Sequence, residues 1–195
     1  MIIENKEIEM EVEIDVMPTP NPNALKFVSN YTFKTEGNST YKSPLECGEN
    51  ELALKLFMLR GVDQLHFYDN SITITKFTYE PWDSLTTKVE ECLKTYAPVH
   101  NPNYFDPDPE KDRRENLSAE LLEIEEIFDR TIRPGLQADG GDIQTVELKE
   151  NILIVRYQGA CGTCPSSTTG TLEAIKSILR NEYNPDIDVY IAPAV

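Results

Sequence analysis

Between Pro98 and Asn116 the chain loses the apolar periodicity that a packed element needs, and this break organises everything on either side of it. Pro98, Pro102, Pro107 and Pro109 are interleaved with Asn, Asp, Glu, Lys and Arg, a composition suited to a semi-extended, solvated connection. The whole chain has 195 residues, so each side of the break holds enough for one small domain. The expectation is two small α+β domains, residues 1–97 and 118–195, joined by a Pro-rich linker over 98–117.

The first half alternates between strand and helix signals. Ile8, Met10, Val12, Ile14 and Val16 face one way and acidic residues the other, which predicts a strand. Three prolines between Met17 and Asn23 end it. Strands are predicted over 24–29, 31–34, 64–68 and 71–77, with a turn at Gly37–Thr40. Helices are predicted over 49–60, carrying Leu52, Leu56 and Leu59, and over 83–96, carrying Leu85, Val89 and Leu93.

The second half opens on Ser118 as an N-cap. A helix follows with Leu121, Ile124, Phe128 and Ile132 at helical spacing, and Pro134 kinks or ends it. A tight turn at Asp139-Gly-Gly-Asp142 leads to a hairpin of strands over 143–148 and 151–157. A helix over 167–182 and a strand over 188–191 complete an α-β-β-α-β order.

Charge removes whole classes of function. With 34 acidic and 18 basic residues the formal net charge is −16. No basic stripe is present to displace counterions from a nucleic acid, and an anionic membrane would repel this surface. No apolar run reaches the length of a bilayer span. The acidic, alternating start resembles neither a secretory signal nor an organellar transit peptide, so residence in the cytoplasm is expected.

The chemistry concentrates in Gln158-Gly-Ala-Cys-Gly-Thr-Cys-Pro165. Cys161 and Cys164 lie between a predicted strand and a predicted helix, so two thiolates can converge on one metal or cluster. The helix N-terminus favours thiolate over thiol, and Gly159 and Gly162 let backbone amides approach bound sulfur. Cluster binding, thiol–disulfide exchange and a zinc site shared between chains all remain open on these residues alone. Cys92 reads as a small buried thiol on a helix, Cys47 as an unremarkable loop thiol, and His66 as packed or surface. Asp139 and Asp142 read as turn residues, Arg133 as a surface ion pair or a counter-charge, and Trp82 as a core anchor.

Three ordered motifs narrow the choice: Ile132-Arg-Pro-Gly-Leu136, Asp139-Gly-Gly-Asp142 and Gly159-Ala-Cys-Gly-Thr-Cys-Pro-Ser-Ser167. Together they make residues 118–192 resemble the C-terminal domain of NifU-type (Nfu) iron–sulfur proteins. Thr19-Pro-Asn-Pro-Asn23, Leu25-Lys-Phe27, Ser43-Pro-Leu45, Leu59-Arg-Gly-Val62, Ile72-Thr-Ile-Thr75 and Trp82 make the first half similar to the Nfu N-terminal domain. One departure is Gly170-Thr171 where the family carries Thr-Leu, and a glycine there costs a helix ~1 kcal/mol.

The resemblance implies an iron–sulfur scaffold or carrier rather than an enzyme in the turnover sense. It implies Cys161 and Cys164 as the protein ligands of a [4Fe–4S] cluster, one per homodimer formed on loading. Four thiolates are needed, one chain offers two, and two copies about a two-fold axis supply the rest. Cluster donors and apoprotein acceptors are the implied partners.

Overall fold

The computed structural model describes residues 11–104, 114, 116–163 and 170–192. In the first domain five antiparallel strands lie in the order β1-β2-β5-β4-β3. They are β1 (Ile14–Pro18), β2 (Ala24–Ser29), β3 (Asn38–Tyr41), β4 (Val62–Tyr68) and β5 (Ser71–Lys76). Alternation settles which face is apolar: Phe27, Leu65, Phe67, Ile72 and Ile74 form one core with Leu52, Leu56, Leu85, Val89 and Leu93. The last five belong to α1 (Glu51–Phe57) and α2 (Trp82–Tyr96). Asn50 starts α1 by accepting the Ala53 N–H at 3.0 Å. Trp82 packs at the core edge and donates its indole N–H to Pro22 O.

Two local expectations fail, each for its own reason. Residues 31–34 form no strand, because the amides of Phe33 and Lys34 both donate to Asp69 O in the β4–β5 turn, at 2.7 and 3.0 Å. The edge strand is instead Asn38–Tyr41, which overlaps the turn predicted at Gly37–Thr40 and runs on to Tyr41. Tyr41 faces inward there and meets Phe67 edge-on, with ring centroids 5.8 Å apart.

Residues 98–104, expected in the linker, pack on the first domain. Tyr104 is buried and its hydroxyl pairs with Ser39 Oγ at 3.1 Å. The His100 ring bonds Phe33 O at 2.8 Å and lies against Phe33, Phe67 and Tyr104. The segment 105–113, residue 115 and the early part of the predicted first strand lie outside the described residues.

The second domain places helices α3 (Ala119–Thr131), α4 (Arg133–Ala138) and α5 (Leu172–Glu182) on a three-stranded sheet. The strand order is β6-β7-β8, from β6 (Gly141–Lys149), β7 (Ile152–Gly159) and β8 (Asp188–Ile191). β6 and β7 form the antiparallel hairpin, and β8 returns through α5 to pair parallel with β7. Ser118 Oγ accepts the Leu121 N–H at 3.3 Å, which makes it the N-cap that starts α3. Pro134 sits in the first turn of α4, where its missing N–H costs nothing, so the break falls between two helices. Ile124, Phe128, Ile143, Leu153, Val155, Ile175, Leu179 and Val189 form a core separate from that of the first domain.

One feature departs from ordinary sheet logic. Every residue of β5 is buried, and so are Gln64 and His66 of β4. The polar face formed by Gln64, His66, Thr73 and Thr75 is covered by the second domain, which docks the segments 137–142 and 159–161 onto it.

Candidate functional site

The cysteine turn grows out of the end of β7. Gly159 takes φ +59, turning the chain into the short 3-10 segment Ala160–Thr163, where Cys161 sits. Opposite it, Gly141 is the register partner of Gly159, and Gly140 O accepts the Ala160 N–H at 3.0 Å. The space between these glycines is fully used. A Cβ on Gly159 would lie 2.5 Å from Gly140 O, and one on Gly141 would overlap Cys161 Sγ and stand 2.9 Å from Gln158 O. The Asp139–Asp142 motif is therefore a seat for the Cys161 turn, with its last two residues already in β6.

Cys161 is 8% exposed and belongs to the core of the second domain. Its neighbour Tyr157 has a buried hydroxyl with no hydrogen-bond partner among the described residues. Burial pushes the pKa of this phenol up and Cys161 pushes it further, so Tyr157 stays protonated and keeps an O–H to donate. An unused buried donor beside a thiol suits a sulfur-rich cargo, whose anionic sulfurs accept such bonds. Cys164 lies outside the described residues, as does the predicted helix start at Ser167; the described helix begins at Leu172.

The other cysteines sit apart. Cys47 is buried in the first core, its thiol 3.7 Å from Ser43 O. Cys92 is half-buried on α2, and burial, opposed by Lys55, raises its thiol to about 11. Among the described residues no group of three His, Cys, Asp or Glu side chains comes together to hold a metal ion.

Beneath the turn lies a charged network that sequence patterns did not isolate. Asp142 is a buried partner of Arg133 rather than a turn residue, accepting from Arg133 Nε at 2.8 Å and Asn38 Nδ2 at 2.9 Å. Arg133 is likewise no surface residue. It also pairs with Glu125 at 2.6 Å and Asp129, and donates to Ile143 O at 2.8 Å. Glu125, 2% exposed, accepts both the N–H and the hydroxyl of Thr145 at 2.8 Å, where the β6–β7 register shifts. A signal for Glu125 existed: Leu121, Glu125, Phe128 and Ile132 form a four-three-four stripe, with a carboxylate at an inward position.

These environments predict two pH windows. Burial alone would raise Glu125, but the Thr145 N–H and the Arg133 charge outweigh it and hold the group at about 2, below its ordinary 4.5. It therefore stabilises the fold fully above its unfolded value, and that contribution of about 3 kcal/mol is lost as pH falls from 4.5 toward 2. His66 is held at about 4 by burial, with Lys26 adding to the effect and Asp142 opposing it. Its neutral form supports the fold, so stability falls as pH drops below 6.5, by about 2 kcal/mol at pH 5. Urea melts at pH 7, 5 and 3 check both windows. His66→Asn should flatten the first step and Glu125→Gln the second.

Two family models cover this architecture. "Scaffold protein Nfu/NifU N terminal" matches residues 14–100, and "NifU-like domain" matches residues 124–190. The chain belongs to the Nfu-type NifU family. Against NFU1 iron-sulfur cluster scaffold homolog, mitochondrial, of Homo sapiens, this Nfu-type chain is 28% identical over 168 residues, covering 85% of itself and 66% of the relative. Against the protein of the same name from Drosophila sechellia it is 30% identical over 169 residues, covering 85% of itself and 59% of the relative. The chain thus spans less than two thirds of the length of these curated relatives. The solution structure of a NifU-like protein from Saccharomyces cerevisiae aligns with 45% of this chain and 80% of its own, at 28% identity and a TM-score of 0.42. No described helix is long and apolar enough to cross a membrane.

Proposed function

We propose that this protein is an iron–sulfur cluster scaffold or carrier, with Cys161 and Cys164 of two chains together holding one [4Fe–4S] cluster. The observation that carries this reading is the Cys161 turn, seated on paired glycines beside the unused hydroxyl of Tyr157, inside the segment that matches the NifU-like domain. The names of the relatives supply the cargo, an iron–sulfur cluster. Four thiolates complete such a cluster, so a chain offering two needs a second copy.

The chain's own work is then to hold and to release. Each protomer makes half the thiolate–iron bonds, so an acceptor thiolate can replace them one at a time. The partners on this reading are a cluster donor, apoprotein acceptors and a second copy of the chain. The protein carries its cargo rather than turning over a substrate. Cytoplasmic residence is part of the proposal; because the relatives are named as mitochondrial, cell fractionation is its test.

Anaerobic reconstitution of wild type and Cys161→Ser tests the site. A brown dimer with about two irons per chain is expected for wild type, and a colourless, iron-poor protein for the variant. A colourless wild type overturns the reading. Disulfide-coupled activity surviving complete iron removal would replace it with a thiol–disulfide oxidoreductase. Stoichiometric zinc in tetrahedral sulfur coordination across a dimer would replace it with a zinc-stabilised adaptor.

A further inference from the structure

We propose that the first domain is a cap on the cysteine turn of its own chain, and that this docked arrangement is a closed resting state that must open before two chains can share a cluster. The consequence for loading rests on the shared-cluster reading; the closed contact itself does not.

The outer face of the five-stranded sheet is the starting point. Gln64, His66, Thr73 and Thr75 alternate with the core residues Leu65, Phe67, Ile72 and Ile74, a pattern that ordinarily leaves the polar side in water. Here each of the four is at most 5% exposed. The groups covering them belong to the candidate site. Gln64 Nε2 donates to Gly159 O at 2.9 Å, and Asn21 Nδ2 donates to Ala160 O at 3.0 Å, the two carbonyls immediately before Cys161. Lys26 Nζ donates to Gln137 O at 2.8 Å, and Asn38 Nδ2 reaches Asp142 at 2.9 Å. Thr73 Oγ1 lies where a Cβ on Gly140 would come within 2.5 Å, and the His66 ring lies 2.9 Å from where one on Gly159 would stand. The fit is specific to a chain edge without side chains.

In this arrangement Cys161 is withheld from a cluster shared with a second chain. Sulfurs from two chains must converge within bonding distance of the same irons, so each must project from the surface of its own protomer. Cys161 is 8% exposed, its sulfur packed over Gly141, in a turn whose preceding carbonyls the first domain holds.

The contact is also built to release. The bulk of each apolar core is internal to its own domain, so separation loosens the second core only at its edge, the Cys161 turn whose preceding carbonyls the first domain held. The uncovered face is polar and exchanges its bonds for water at small net cost. Docking even leaves two groups poorly served: His66 Nε2 and Thr75 Oγ1 are buried without a hydrogen-bond partner among the described residues. Water would satisfy both on opening, which keeps the closed state from becoming permanent.

The test needs no iron. Iron-free full-length protein is treated with iodoacetamide, and modification of Cys161 is timed by mass spectrometry of its peptide. In Thr73→Lys a longer charged side chain meets Gly140, and Cys161 should be modified at least tenfold faster than in wild type. Gln64→Ala, which removes a single bond to Gly159 O, should give roughly a fivefold rise. Cys47, buried in the first core, should remain slow throughout and reports that the first domain is still folded. Should Cys47 become fast in Thr73→Lys, Gln64→Ala becomes the deciding variant. Equal Cys161 rates in wild type and the folded variant, whether fast or slow, overturn the cap. Accelerated labelling with no colour on reconstitution would uphold the cap and remove the cluster reading. Colour with equal labelling would do the reverse.

Discussion

Arg133→Ala is expected to cost the second domain about 3–5 kcal/mol, and to lower its melting temperature by more than about 10 °C. The guanidinium, 12% exposed, is the shared cation of Glu125 and Asp142, both only 2% exposed. Removing it leaves Asp142 buried without a cation and Glu125 with only the half-exposed Arg114, 3.2 Å away, a larger penalty than the worth of either pair. Asp142 also orients against Asn38 and Gln137, so the loss spreads into the seat of the cysteine turn. Lysine should restore less than half, because one ammonium cannot reproduce the fork that reaches Glu125, Asp129, Asp142 and Ile143 O together. Arg130→Ala is the comparison. Its pair with Glu182 lies at the surface, and its loss should cost less than about 1 kcal/mol. Thermal and urea melts of the three variants decide the matter; an Arg133→Ala loss as small as that of Arg130→Ala would contradict a buried, shared cation.

Gly159→Ala should be comparably severe, at about 3 kcal/mol or more, for a different reason. The position has φ +59, which costs an L-residue ~1–2 kcal/mol before any contact is counted. The added carbon would then lie 2.5 Å from Gly140 O and 2.9 Å from Gly141 Cα. Both are backbone atoms, so no rotamer change relieves the overlap. Gly37→Ala separates the two effects, since Gly37 has φ +64 with nothing within 4 Å of the new carbon. That variant should lose only ~1 kcal/mol. Denaturant melts measure both, and equal losses at the two glycines would show that backbone conformation alone carries the cost.

What could be read from residues follows the physics of each signal. The central strands were legible because Leu65, Phe67, Ile72 and Ile74 alternate with polar residues, and α2 because Leu85, Val89 and Leu93 recur at helical spacing. Ser118 and Pro134 marked helix boundaries through local backbone chemistry, which needs no partner. The polar sheet face escaped reading because Gln64, His66, Thr73 and Thr75 are the residues a wet face would carry; what covers them comes from more than 60 positions away. Residues 37–40 read as a turn from their small polar side chains, yet the next residue, an inward tyrosine on Phe67, was enough to recruit 38–41 as an edge strand. Cys161 was legible as a candidate ligand from its spacing to Cys164. Its seat was not, because the glycines that make room for it lie across a hairpin.

Tyr104 has a consequence for how the chain is made. It stands beyond the last helix of the first domain, yet it fills that domain's core and bonds Ser39. On the ribosome the first domain cannot close until residue 104 has emerged, and it can then close before Gly159 and Cys161 emerge. Throughout that interval the sheet face destined to receive the cysteine turn stands uncovered. Because that face is threonine, glutamine and histidine rather than leucine or valine, the waiting half-protein offers nascent neighbours little to stick to.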